Sequence, residues 1–168
     1  MKLDDIRQGF SSLLDSMSEG WQRLRQSAAS ALTGFKPGTD TQLPAQTDVD
    51  DAFYMPSRGW SMLGGDVFED DSRVVVRVEV PGMDKQDIDL EIQGDVLIVS
   101  GEKKFERETT QGRYRVLQCA YGSFRRVVHL PAPVISDQAK ASYRSGVLRV
   151  ELPKIAVGNP RRHRVNVE

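Results

Sequence analysis

The sequence predicts an all-β fold, an antiparallel sandwich preceded by a helical arm and followed by an extended tail. Three observations predict it. Between residues 66 and 154 apolar side chains recur with period two, as in Val74, Val76, Val78 and Val80. Pro81-Gly82 and Gly94-Asp95 cut that pattern into short runs. Residues 3–32 instead space their apolar side chains at three and four. A chain of 168 residues suits one modest domain with appendages.

Residues 1–35 form the arm. Leu3, Ile6, Phe10, Leu13, Met17, Trp21, Leu24, Ala28 and Ala31 make a helical stripe, widened by Leu14 and Leu32. Asp4, Asp5, Arg7, Asp15, Glu19, Arg23 and Arg25 supply the opposite face, with the first two suited to a helix N-terminus. Three uses fit such a stripe: packing on the chain's own core, an interaction arm for assembly or client capture, and a lipid-surface helix. Four basic residues balanced by four acidic ones in this segment serve the lipid use poorly.

Residues 36–65 read as a flexible acidic linker. Gly34, Pro37, Gly38, Pro44, Pro56, Gly59, Gly64 and Gly65 in and beside it stop either periodicity from persisting, and residues 36–72 hold 2 basic and 8 acidic side chains. Phe53, Tyr54, Met55, Trp60, Met62 and Leu63 are apolar knots in this tether, fit to dock on a partner or on the domain itself. Asp48, Asp50, Asp51, Asp66, Glu69, Asp70 and Asp71 lack the spacing of a helix-loop-helix calcium site, so solvation explains them better.

The sandwich occupies residues 66–154. Val74, Val76, Val78 and Val80 give a strand one apolar face, with Val75, Arg77 and Glu79 opposite. Ile88, Leu90 and Ile92 repeat the pattern, and Gly94-Asp95 turns it into a hairpin with residues 96–100. Further strands are expected at 115–119, 124–130, 139–143 and 147–152. Half-apolar strands at this spacing must close as two facing sheets. The charged stretch KKFERETTQGRY at 103–114 exceeds a tight hairpin and reads as a protruding loop or edge element, for pairing between subunits or for solvent.

Little supports chemistry. One cysteine and two histidines exclude an intrachain disulfide and the common zinc patterns. His129 and His163 read as surface residues, and Cys119 as a buried small side chain in preference to a modest redox handle. The glycines form neither a dinucleotide nor a phosphate loop. No catalytic, cofactor or metal residue is assigned, and the expectation is a protein that is not an enzyme and needs no cofactor. With 23 basic against 24 acidic residues no specific nucleic acid is expected, and RRHR in the tail is a weak polyanion signal. The first residues do not read as a signal peptide and no run is long enough for an apolar span, so a cytoplasmic location is expected. In the tail, residues 155–168, Val165 and Val167 project two positions apart, fit either for an edge groove elsewhere or for a last strand of the same subunit.

Three ordered blocks, VVVRVEVPGMDKQDIDLEIQGDVLIVSGEKK at 74–104, YGSFRRVVHLP at 121–131 and AKASYRSGVLRVELPK at 139–154, with the terminal V-x-V, closely resemble the bacterial Hsp20 type of small heat shock protein. The resemblance covers about residues 66–168 and implies an alpha-crystallin domain, an immunoglobulin-like antiparallel β-sandwich. It implies an ATP-independent holdase that forms homodimers and then larger homo-oligomers. Lys103, Lys104, Phe105, Glu106, Arg107, Glu108, Gly112, Arg113, Tyr114 and Arg115 would carry a loop exchanged between dimer partners. Val165 and Val167 would anchor the tail in a groove made by Ile88, Leu90, Ile92, Ala139, Ala141 and Tyr143 of a neighbouring dimer. Partly unfolded clients would meet Leu3, Ile6, Phe10, Leu13, Leu14, Met17, Trp21 and Leu24, supplemented by Phe53, Tyr54, Trp60 and Met62.

Two departures from the family pattern stand out. The tail motif is commonly I-x-I or I-x-V, so V-x-V loses methylenes worth about 0.8 kcal/mol each if buried. Gln118 and Cys119 stand where Glu-Arg is usual, removing two charges from the expected dimer contact. Two other uses of the chain remain open: a specific co-chaperone or adaptor, and a membrane-surface organiser acting through the arm with weak membrane association.

Overall fold

Alternation of valine with polar residues produces the central strand of the sandwich. In the computed structural model, which describes residues 29–57 and 59–156, β4 (Arg73–Glu79) sits between β3 (Gly65–Glu69) and β9 (Val147–Pro153), and β8 (Lys140–Arg144) closes that four-stranded sheet. All its pairings are antiparallel. Val74, Val76, Val78 and Val80 are at most 1 % exposed, and Leu148, Val150 and Leu152 of β9 are buried beside them. Val75, assigned to the outer face, is buried as well.

The second sheet contributes β5 (Ile88–Gln93), β6 (Val96–Lys103) and β7 (Gly122–His129), with β6 in the middle of the three. Gly94 takes a positive φ at the turn from β5 to β6, as expected for a tight hairpin. Leu97, Ile98 and Val99 are buried on β6. Two half-apolar sheets with buried inner faces make a sandwich, removing apolar area from water at about 25 cal/mol per Å². The β8–β9 hairpin turns through Ser145 and Gly146, both at positive φ. That pairing of left-handed residues matches the strand twist.

The chain forms two compact units. Among the described residues, the sandwich unit is Gly65–Glu102 with 125–156, and the other unit is 29–64 with Lys103–Phe124. In the latter, β1 (Leu32–Lys36) pairs antiparallel with β2 (Gly59–Met62) and with the first residues of β7. The Phe35 and Phe124 rings lie 5.1 Å apart. Gly122 has φ of 107°, and a Cβ there would fall 2.4 Å from the Lys36 carbonyl oxygen. Only glycine permits that approach.

Several expectations are corrected here. Residues 29–31 are helical, up to the last position of the expected stripe, but Leu32–Lys36 is a strand, so Leu32 and the end of the expected arm, residues 32–35, belong to β1 instead. The rest of the arm, residues 1–28, lies outside the described residues. Residues 36–65 are not a bare linker: 3-10 turns at Thr39–Thr41 and Gln46–Asp48, strand β2, and the buried side chains of Thr41, Pro44, Val49, Tyr54 and Leu63 tie the segment down. Glycines and prolines there make turns of a packed irregular segment. No strand forms at 115–119; just before it Tyr114 makes an isolated bridge to Val49, and the stretch itself finds no neighbouring strand to complete a ladder.

Candidate functional site

Two sheet edges flank the groove that the sequence placed at β5 and β8. Each strand ends its sheet, so each has one row of backbone groups without a strand neighbour among the described residues. Ile88, Leu90, Ala141 and Tyr143 line a cleft of about 110 Å³ with Lys85, Ser142 and Leu148. Leu90 is 37 % exposed. Ile92 and Ala139, both half-buried, are outside that lining, so four of the six expected groove residues come together. The Tyr143 hydroxyl donates toward the carbonyl oxygens of Val80 and Met83, 3.0 Å from each. This bond fixes the side chain at the mouth of the cleft. The tail residues Val165 and Val167 lie outside the described residues.

A third unpartnered edge, β3, was missed by sequence reasoning. Every residue of β3 is exposed, Phe68 by 58 %, and only β4 pairs with it. On the outer face of this sheet Arg73 bonds Asp70 at 3.1 Å and Glu151 at 2.7 Å, and Arg149 also pairs with Glu151. Asp70 has a structural task beyond solvation, since it accepts the Ser72 and Arg73 N–H groups and the Ser72 hydroxyl. The Ser72 donors lead in holding its carboxyl well below the usual carboxylate range.

The expected exchange loop is folded against its own chain. Phe105 lies 5.1 Å from the Tyr121 ring, edge to face, and 5.7 Å from Tyr114, while Lys103 Nζ is 5.4 Å from the Tyr121 centroid. The Glu108 N–H donates to the Tyr114 hydroxyl at 3.0 Å. Asp50 receives Arg113 at 2.7 Å and Arg115 as well. The Arg115 hydrogen bond is the first cause of its lowered pKa. The acidic segment at 48–51 is therefore more than a solvated run. Gln118 and Cys119 are both exposed, and burial of Cys119, the sequence expectation, is not observed. Burial pushes the Tyr121 hydroxyl pKa up, with neighbouring Cys119 adding to the effect.

The aromatic knots separate by environment. Phe53 is 92 % exposed and Trp60 60 %, with Met62 about half exposed, whereas Tyr54 is buried with its hydroxyl donating to the Pro44 carbonyl at 2.9 Å. Tyr54 is thus removed from the exposed client-contact set, because a buried phenol with a satisfied hydroxyl belongs to the core. Phe53, Met55 and Trp60 border a cleft of about 270 Å³ that also meets Leu117 and Cys119. Met62 and Leu32 are opposed on β2 and β1, so their apolar exposure is contiguous. Leu3, Ile6, Phe10, Leu13, Leu14, Met17, Trp21 and Leu24 lie outside the described residues. Among the described residues no group of three or more His, Cys, Asp or Glu side chains could hold a metal ion. No helix among them is long and apolar enough to cross a membrane.

Comparison with known proteins finds a match to the Hsp20/alpha crystallin family over residues 66–168. Small heat shock protein C2 of Rickettsia felis is 34 % identical over 97 residues, covering 58 % of this chain and 63 % of that protein. The 16.9 kDa class I heat shock protein 3 of Oryza sativa is 32 % identical, covering 70 % of this chain and 76 % of that one. Among solved structures, heat shock protein 16.0 of Schizosaccharomyces pombe aligns with a TM-score of 0.52 at 32 % identity, over 63 % of this chain and 97 % of that one. A small heat-shock protein from Xylella fastidiosa gives 0.51 at 31 % identity, over 64 % and 98 %. The chain spans 63 %, 64 % and 55 % of the length of the first three curated relatives.

Proposed function

Because the chain belongs to the Hsp20/alpha crystallin family, we propose that it is an ATP-independent chaperone that holds partly unfolded proteins and prevents their aggregation. The observation that carries this reading is the family match over the sandwich. The exposed edges and apolar side chains support it physically: Phe53, Trp60 and Met62 offer apolar area at the surface, and unfolding clients offer the same. Binding of this kind removes area from water without directional bonds, so it tolerates many client sequences. The stripe at Leu3, Ile6, Phe10, Leu13, Leu14, Met17, Trp21 and Leu24 is assigned the larger share of client contact.

The open edges support a reading in which the chain assembles with copies of itself. The segment 103–115 of one copy is delivered to the β3 edge of a second, forming a homodimer by strand addition. Val165 and Val167 of a neighbouring dimer dock at the cleft between β5 and β8, where backbone groups of either edge are available to the tail. Valines in place of bulkier anchors make that contact looser and more exchangeable.

The test heats several unrelated client proteins with the purified chain in nucleotide-free buffer and weighs the soluble fraction by light scattering after size separation. Large soluble complexes holding each client support the proposal. Binding of only one or two defined partners at fixed stoichiometry points to an adaptor, and retention of clients only when vesicles are present points to a membrane organiser. Either result overturns it.

A further inference from the structure

Residues 47–50 grip the same segment that the assembly reading assigns to a second copy. Val49, buried, bridges Tyr114 in parallel, and the Asp50 N–H donates to the Tyr114 carbonyl at 3.0 Å. An Arg113 guanidinium nitrogen donates to the Thr47 carbonyl at 3.1 Å, another lies 2.7 Å from the Asp50 carboxylate, and Arg115 pairs with the other oxygen of that carboxylate. One short acidic segment thus satisfies backbone and charge on three consecutive residues of the loop. A cross-chain segment cannot stay in this grip, because being handed to a second copy means leaving the chain that carries it.

We propose that residues 47–50 are an intramolecular latch, with Asp50 as its charge anchor, that competes with delivery of the 103–115 segment to a partner. The inference rests on the loop-exchange part of the proposed assembly. It makes self-association conditional: a closed latch stores the loop on its own chain, and an open one releases it. Each dimer needs two open loops, so the cost enters squared. If about a third of loops are open, association is weakened about ninefold. Screening opens the latch, so raising salt from low to moderate strength tightens the dimer. A dimer held by ion pairs between chains responds the opposite way.

The test follows dissociation of the full chain on dilution by mass measurement, together with hydrogen exchange at the Asp50 amide. Asp50→Asn is expected to lower the dimer dissociation constant by about threefold to tenfold, to abolish its tightening by salt, and to expose the amide. Asp50→Glu should behave like the parent chain. Arg113→Glu with Arg115→Glu should open the latch too, and adding Asp50→Arg should close it again, which a general loss of structure does not reproduce. Weakened association in Asp50→Asn, or unchanged association with the amide exposed, overturns the latch. An amide that stays protected in Asp50→Asn also overturns it. Replacing residues 106–112 by a glycine-serine run of equal length separates the two proposals. If dimers persist undiminished, loop exchange itself is wrong; if they disappear while Asp50→Asn has no effect, only the latch is.

Discussion

Filling the cleft between β5 and β8 should dismantle large assemblies while leaving the sandwich intact. The perturbation is Ala141→Phe, at an exposed position on the edge strand β8, where Ala141 lies opposite Val150 of β9. The cleft holds about 110 Å³, and since a water occupies about 30 Å³, that is room for three to four heavy atoms. A single isopropyl group fits it. On the proposed docking, one tail valine would fill this cleft and the other would lie along the edge beside it. Phenylalanine adds six carbons to Ala141 and takes the whole space. Loss of one fully buried valine weakens a contact by about 1.5–3 kcal/mol, or roughly tenfold to 150-fold. An exposed substitution shifts fold stability by about 0.5 kcal/mol or less. Mass by light scattering should fall toward the dimer, with the urea midpoint unchanged. Unaltered oligomer mass in a normally folded variant would refute the cleft as the tail's receptor.

Three other perturbations test separate parts of the account. Gly122→Ala places a methyl where 2.4 Å is available beside Lys36 and demands an unfavourable φ, so the urea midpoint should show a loss of about 1–3 kcal/mol or more. Asp70 has a depressed pKa, set first by the Ser72 N–H and hydroxyl, so its stabilising effect is complete above about pH 4, the ordinary aspartate value, and is lost as the pH falls toward the folded value. Thermal melts from pH 6 down to pH 2 should therefore show a smaller acid-induced decline for Asp70→Asn than for the parent. Deletion of residues 1–28, stopping short of β1, should reduce suppression of client aggregation while the circular dichroism of the sandwich persists; full activity toward several clients contradicts the role given to the arm.

How much of this was legible in the sequence depended on burial. β4 and β9 were the most readable because one face of each is apolar at period two, as Val74, Val76 and Val78 show on β4 and Leu148, Val150 and Leu152 on β9. β3 leaves no such mark: all of Gly65–Glu69 is exposed, so its residues look like a solvated acidic stretch. β1 and β2 were hidden by glycine. Gly34 and Gly59 read as breakers, yet Gly34 faces Trp60 across the ladder and a Cβ on Gly59 would come within 3.0 Å of Ala120. At 115–119 the error ran the other way, since alternation in RVLQC suggested a strand that has no neighbour to pair with. Pattern records which faces are dry, not whether a second strand is present.

The groove was half a matter of pattern and half of resemblance. Periodicity placed Ile88, Leu90 and Ile92 on one face, but which of them meets β8 depends on how two sheet edges approach, and Ile92 falls outside the lining. The partners of Asp50 were not legible at all. Residues 50 and 115 are separated by 65 positions, and an aspartate in an acidic run carries no local sign of the arginines it will meet. Tyr54 is a similar case, with nothing in its neighbours announcing that its hydroxyl would reach Pro44.

The central claim is that the chain alone, without nucleotide, keeps unfolding proteins from aggregating. Its most direct test is the light scattering of a heat-labile client during warming, with the chain added at increasing molar ratio in buffer treated to destroy ATP. Scattering should fall progressively toward zero near one chain per client, for several unrelated clients. Undiminished scattering at a large excess of a folded, assembled chain would contradict it.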